Sequence, residues 1–329
     1  MKIPVPTTFN DETAVQFVNQ IHGLITTNEP LVFDFRNVTF VRPFPTMVVA
    51  LALRHLIRFR SKNRQKTSVV GHDGTGAGIT YLRHVGFFHF IGVDAGKTPG
   101  EAPGGATYQP IREIKRSSIV SVAGDRPIQE EIDRRSDQLS EIIYPYDLNP
   151  GPAMMISYSL REIMRSVFEH ASTDKCFLMA QRWYPGTAEI VIADEGIGIH
   201  ASLAKVLGGV NPVDSIRKCI LPGITSGNVH SGSDWDNSGF GLYVVTELAR
   251  KYGSFSLISS NICYRQTNGH QSLDSIPLQS TVVKLQVDTL DADYFPNILA
   301  DIVARGEELA NEIPGTVKSA SKASKSYRR

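Results

Sequence analysis

Apolar positions recur along this chain in two rhythms, one of three to four residues and one of two, and the two alternate in blocks. Val15, Val18, Ile21, Leu24 and Ile25 keep the spacing of one buried helical face across residues 12–27. Pro30 closes that segment, and Leu31–Phe35 reads as a short strand. Asn37–Val41 gives a turn and a second apolar hop, and the long apolar run from Met47 to Phe59 predicts a mostly buried helix, since a strand of that length would be unusual. A basic stretch ending at Lys66 follows. Thr67–Gly71 reads as another strand, His72–Gly78 as a turn, and Ile79, Leu82, Val85 and Phe87 as a short helix packed on the sheet. Strand and helix alternate, which predicts a small α/β domain.

Gly92–Pro110 turns rich in glycine and proline and reads as an exposed loop. Glu130–Ile142 predicts a surface helix joining two halves, and the prolines of Tyr144–Pro152 interrupt regular structure. Ser159 and Glu162 then have capping-box spacing for a helix start. Leu160, Ile163, Met164, Val167, Phe168 and Ala171 form its buried face, while Glu162, Ser166, Glu169 and His170 share a polar face. Alternation in Cys176–Tyr184 and Ala188–Ala193 predicts a hairpin turning at Pro185–Thr187. A helix over Leu242–Tyr252 and strands over Phe255–Ser259 and Thr281–Val287 complete helices lying on one face of a mixed or antiparallel sheet.

Composition narrows this picture. The 329 residues are 41% hydrophobic and 20% charged, enough for two folded domains with their own cores. The 34 basic residues nearly balance the 33 acidic ones, so no global field points to nucleic acid or an anionic membrane. No run of 18 apolar residues is present and the start MKIPVPTTFNDE lacks a secretion-signal core, so a cytoplasmic, non-membrane protein is expected. Cys176, Cys219 and Cys263 are too scattered for a metal-site pair and read as free thiols. Lys318–Arg329 carries basic residues without an acidic one and reads as a flexible tail, not a specific nucleic-acid site.

The candidate chemistry lies in the second half. Asp194-Glu195-Gly196-Ile197-Gly198 ends a strand, where an aspartate accepts a hydrogen bond from an exocyclic amine and glycines allow close approach of a planar base. Ser238-Gly239-Phe240-Gly241 opens a helix whose first amides suit a phosphate. Residues 208–238 between them have the composition of a lid over a site. The glycine run at 72–78 matches no phosphate-loop fingerprint and reads as a turn.

Together these segments resemble the GHKL ATPases, the fold of histidine kinases, gyrase and anti-sigma kinases, over about residues 150–288. The resemblance implies ATP as ligand, with Asp194, Gly196 and Gly198 on the adenine side, Gly239, Gly241 and Leu242 around the phosphates, Thr225 at the lid start, and Thr281 near adenine. It also implies that Glu162 polarises an attacking water. The position that carries a magnesium-binding asparagine in that family is Ser166 here, a weaker Mg²⁺ ligand. The stretch Asp34–Thr46 resembles the STAS domain, with proline where signalling members carry a phosphorylated serine.

The expected organisation is a STAS-like α/β domain over 1–114, a linker with a helix over 115–151, an α+β Bergerat-type sandwich with helices on one face of a mixed sheet over 152–290, and an extension with a basic tail over 291–329. The expected function is an ATP-binding regulatory protein, a slow Mg²⁺-dependent ATPase whose lid closure controls a protein partner. An anti-sigma-type serine/threonine kinase and a catalytically degenerate nucleotide-binding scaffold stay open, as does a homodimer.

Overall fold

The computed structural model describes residues 1–147, 149–184, 186–227, 237–288 and 294–327. In its first part, β1 (Lys2–Pro4) and β2 (Thr8–Phe9) lead into α1 (Asp11–His22). Asn10 and Thr13 cap α1 reciprocally, each side chain accepting from the other's backbone amide. β3 (Leu31–Asp34), β4 (Phe40–Val41), α2 (Pro43–Lys62) and β5 (Thr67–Val70) follow. β1, β3 and β5 form a three-stranded parallel sheet in the order β1-β3-β5, and β2 pairs with β4. α3 (Ala77–His84) and α4 (Phe87–Phe90) close this part, and α4 brings Phe87 and Phe88 edge-on against Phe35.

α2 explains how the chain is assembled. Every residue from Pro43 to Leu53 is buried, which a helix achieves only when it is covered on all sides. One side meets α1 and β5, and the other lies across β7 (Lys175–Trp183), β8 (Thr187–Asp194) and β12 (Thr281–Asp288) of a second, larger sheet. Pro43 starts the helix where a missing N–H costs nothing. The amide of Phe44 is satisfied from the larger sheet, where Glu189 Oε1 accepts it at 2.8 Å.

The larger sheet has seven strands. β6 (Tyr108–Lys115) forms one edge; α5 (Arg116–Ala123), α6 (Ile128–Ile143) and α7 (Pro150–His170) lead from it to β7 and β8. α8 (Gly198–Leu203), α9 (Pro212–Cys219) and α10 (Gly241–Tyr252) precede β9 (Gly253–Ser259), β10 (Ile262–Thr267) and β11 (His270–Ser275). After β12 come α11 (Phe295–Glu312) and α12 (Lys322–Lys325). The order is β11-β10-β9-β12-β8-β7-β6, antiparallel at every pairing. Leu178, Ile190, Ile192, Val283 and Leu285 face a core shared with α7 and α10, while Phe177, Met179, Val191 and Val282 face the core shared with α2. Both faces of the central strands are therefore buried, which is why β8 is apolar without interruption from Ile190 to Ala193.

Several expectations change here. The sheet is antiparallel, not mixed, and α2 covers the face expected to lack helices. The boundary expected at 114 and 115 falls inside β6, which pairs with β7. The helix expected to start at Ser159 begins at Pro150, capped by Asn149 accepting from Gly151 N at 3.2 Å. Pro150 and Pro152 read as breaks yet sit in the first turn, where proline is tolerated. Ser159 is mid-helix and donates to Met155 O at 2.8 Å. Part of the expected lid is the helix α9, and its positions 228–236 lie outside the described residues. Among the described residues, no helix is long and apolar enough to cross a membrane.

Candidate functional site

Between α7, α10 and the ends of β8 and β12 lies a cavity of about 980 Å³, counting the part open to solvent. Its sheet end is lined by Asp194, Gly198 and Thr281, and its helix end by Glu162, Ser166, Gly239, Gly241 and Leu242, with Thr225 on the wall between. These segments, far apart in sequence, converge because β8 and β12 pair with Asp194 opposite Thr281, and because α7 and α10 cross on the same sheet face. Gly196 is the exception and does not line the cavity. A Cβ there would lie 2.1 Å from Ala171 O, so this glycine lets the turn after β8 pass against the end of α7, where Ile197 N donates to Ala171 O at 2.9 Å.

Asp194 is 2% exposed, and its Oδ1 accepts from Gly196 N at 2.8 Å. Burial pushes its carboxyl up to about 7, against the pull of that amide. Thr281 Oγ1 is within 3.0 Å of Ser259 Oγ, whose oxygen also accepts from Ile199 N at 2.9 Å, so the hydroxyls at this end are joined to the start of α8. The neighbour of Asp194, Glu195, is held from the other side of the sheet by Arg54 at 3.4 Å and Arg58 at 3.2 Å, both on α2.

At the helix end, α10 begins at Gly241 with no side-chain cap among the described residues. Its first amides therefore face the cavity with the positive end of the helix dipole. Gly241 is required by close approach, since a Cβ would lie 2.1 Å from Glu162 Oε2. Gly239 N already donates to Asn237 Oδ1 at 3.1 Å, and Gly239 O accepts from Gly223 N at 3.2 Å, which leaves the α10 amides rather than Gly239 to meet an anion.

Glu162 is not a solitary carboxylate. Arg161 Nε donates to its Oε1 at 3.0 Å, and Arg165 Nη1 lies 3.8 Å from the same oxygen. Arg165 Nε also donates to Glu169 Oε1 at 3.2 Å. Asn237 Nδ2 donates both to Glu169 Oε2, at 2.8 Å, and to His170 Nε2. With Nε2 accepting, the proton of the neutral ring sits on Nδ1 and reaches Ser226 Oγ at 3.1 Å. Burial, reinforced by Arg165, lowers His170 to about 4. Arg161, Arg165 and Asn237 escape the sequence reading. Arg161 and Arg165 do carry one signal, a four-residue spacing that puts both beside Glu162 on one helical turn.

The tail expected to be flexible is docked here through Tyr327, while Arg328 and Arg329 lie outside the described residues. Val317 N donates to Gly223 O at 2.9 Å, and Ser321 N to Ser238 Oγ at 3.0 Å. Arg161 Nη2 donates to Ala323 O at 2.7 Å and Tyr158 OH to Ser324 O at 3.0 Å, so Ser324 joins the cavity wall. Lys325 pairs with Glu307 of α11 at 2.7 Å. Buried donors and acceptors on one side and α11 on the other hold a segment whose composition alone suggests disorder.

The donor set at the helix end does not fit a magnesium ion. Ser166 offers one neutral hydroxyl, and the flanking carboxylates are engaged by guanidinium groups. Among the described residues, no group of three or more His, Cys, Asp and Glu could hold a metal. Comparison of the chain with protein-family models, with curated proteins and with solved structures finds no match in any of the three.

Proposed function

We propose that this cavity binds an adenine nucleotide, base at the sheet end and phosphates at the start of α10, and that the chain is a nucleotide-dependent regulatory protein of the GHKL kind. The observation that carries the reading is the pairing of Asp194, a buried carboxylate facing the cavity, with the α10 N-terminus, which has no side-chain cap among the described residues, at its other end. A carboxylate with one amide for a partner is costly to bury, and an exocyclic amine supplies the missing donor. The α10 amides suit phosphate. The expected Mg²⁺ does not fit these residues.

A regulatory output is supported by the arginines of α2 on Glu195, which tie the turn carrying Asp194 to the STAS-like first part. Closing on a base moves that turn, and Arg54 and Arg58 carry the change to a surface that a protein partner reads. Slow hydrolysis is the second reading, favoured by Glu162 at the mouth of α10. To act on a water, Glu162 must first loosen from Arg161, so binding outlasts chemistry.

Calorimetric titration tests the assignment. ATP binds at least about tenfold more tightly than GTP, whose base presents a carbonyl where adenine presents the amine. Asp194→Ala abolishes that preference. Equal affinity for the two nucleotides, or an unchanged preference in Asp194→Ala, contradicts the reading. If phosphate is released, Glu162→Ala suppresses release and leaves much of the binding.

A further inference from the structure

Arg165 stands at the helix end of the cavity, one residue before Ser166, with its guanidinium between the carboxylates of Glu162 and Glu169. Its side chain is 4% exposed, so the charge is fixed by packing rather than swept through solvent. Glu162 Oε2 in turn lies against Gly241, which places this charge beside the first turn of α10. A divalent ion entering here meets a guanidinium, two carboxylates already paired with arginine, and neutral side chains such as the Ser166 hydroxyl. Mg²⁺ requires about six oxygens in near-octahedral order.

We infer that this chain holds the phosphates of its nucleotide without a divalent cation, Arg165 taking the place of the metal. The inference rests on the adenine-nucleotide reading of the same cavity. A guanidinium binds phosphate oxygens through two parallel N–H bonds and is never deprotonated at physiological pH. To reach them, Arg165 trades one carboxylate for phosphate. Glu169 is the one it leaves, because Asn237 Nδ2 already donates to Glu169 Oε2 at 2.8 Å and keeps that carboxylate satisfied. The α10 amides complete the cradle. A single fixed charge neutralises the terminal phosphate less than a metal does, so the site favours holding the nucleotide over cleaving it.

The test is calorimetric titration of the full chain with ATP and with adenosine, in magnesium chloride and in EDTA. ATP binds with affinities within about threefold of each other in the two buffers, and adenosine is indifferent to the buffer. Arg165→Gln, with its melting temperature checked, weakens ATP about tenfold and leaves adenosine unchanged. Arg165→Lys, which keeps the charge and loses the fork, falls between and stays metal-independent. ATP binding that collapses in EDTA overturns the inference while the nucleotide reading stands, as does a folded Arg165→Gln that binds ATP like the native chain. Failure of ATP and adenosine to bind in either buffer overturns the nucleotide reading itself.

Discussion

Asp194 links pH, stability and ligand in one side chain. Burial raises its carboxyl to about 7, above the ordinary value near 3.8, so the folded chain holds this proton more tightly than the unfolded one. The stability this contributes is complete below pH about 4, falls as pH rises to about 7, and changes little beyond. Asp194→Asn removes the dependence. The difference in unfolding free energy between the native chain and this variant, followed by urea denaturation from pH 4 to 8, shifts toward the variant by a few kcal/mol. A constant difference contradicts the burial of this carboxylate. An amine donor prefers the ionised form, so adenosine, which does not titrate in this range, binds about tenfold more weakly at pH 6 than at pH 8. Isothermal titration at the two pH values checks this. That Asp194, Gly198, Gly239 and Gly241 line one cavity is legible because strand ends and glycine-opened helices announce themselves in sequence, while Thr281 is named through the family resemblance alone. Arg165 and Asn237 are not legible, since a charged residue such as Arg165 on a helix reads as solvated surface and the partners of Asn237 lie far off in sequence on α7.

α2 shows what an element's pattern reveals and what it hides. Its apolar run marks a buried helix, yet the covering is invisible in the run itself, because half of it is a sheet whose strands β7, β8 and β12 come much later in the chain. The joint between them is polar. Glu189, with 0% exposure, accepts from the Phe44 amide and from Arg42 Nη2 at 2.6 Å, and Arg42 also donates to Gln286 Oε1 at 2.9 Å. Glu189→Ala uncaps α2 and strands Arg42, costing roughly 2–4 kcal/mol, below the full penalty for a buried pair because Arg42 keeps some water. Urea denaturation measures it, and a loss within experimental error of zero would show that the joint carries no weight. Elsewhere, α7 was read from its apolar face but started nine residues late, because prolines that open a helix resemble prolines that end one. Cys263 reads as part of a strand, but its pairing in the β10–β11 hairpin is missed, although Asn268 and Gly269 both have positive φ, the signature of a two-residue turn. Polar alternation on its exposed edge strand carries little hydrophobic signal.

At the scale of the whole molecule, the two parts expected as separate domains share one core, formed where α2 packs on the larger sheet. Phe177, Met179, Val191 and Val282 lie beneath the first part, so removing residues 1–106 bares an apolar face and the remainder aggregates. For the same reason the intact chain unfolds in one cooperative transition by calorimetry, where two separated transitions would show independent parts. A change of pattern along the chain separates two parts in the sequence; their fusion is not legible there, because nothing in a strand's sequence says whether the cover on its second face is local or remote. This fusion ties the turn after β8 to α2, through Glu195 and the side chains of Arg54 and Arg58. An adenine base at the sheet end of the cavity is located by photolabelling with 8-azido-ATP followed by peptide mapping. Label is expected on the segments 194–203 and 278–285, displaced by excess ATP and lost in Asp194→Ala. Label on other segments, or label that excess ATP fails to displace, would contradict it.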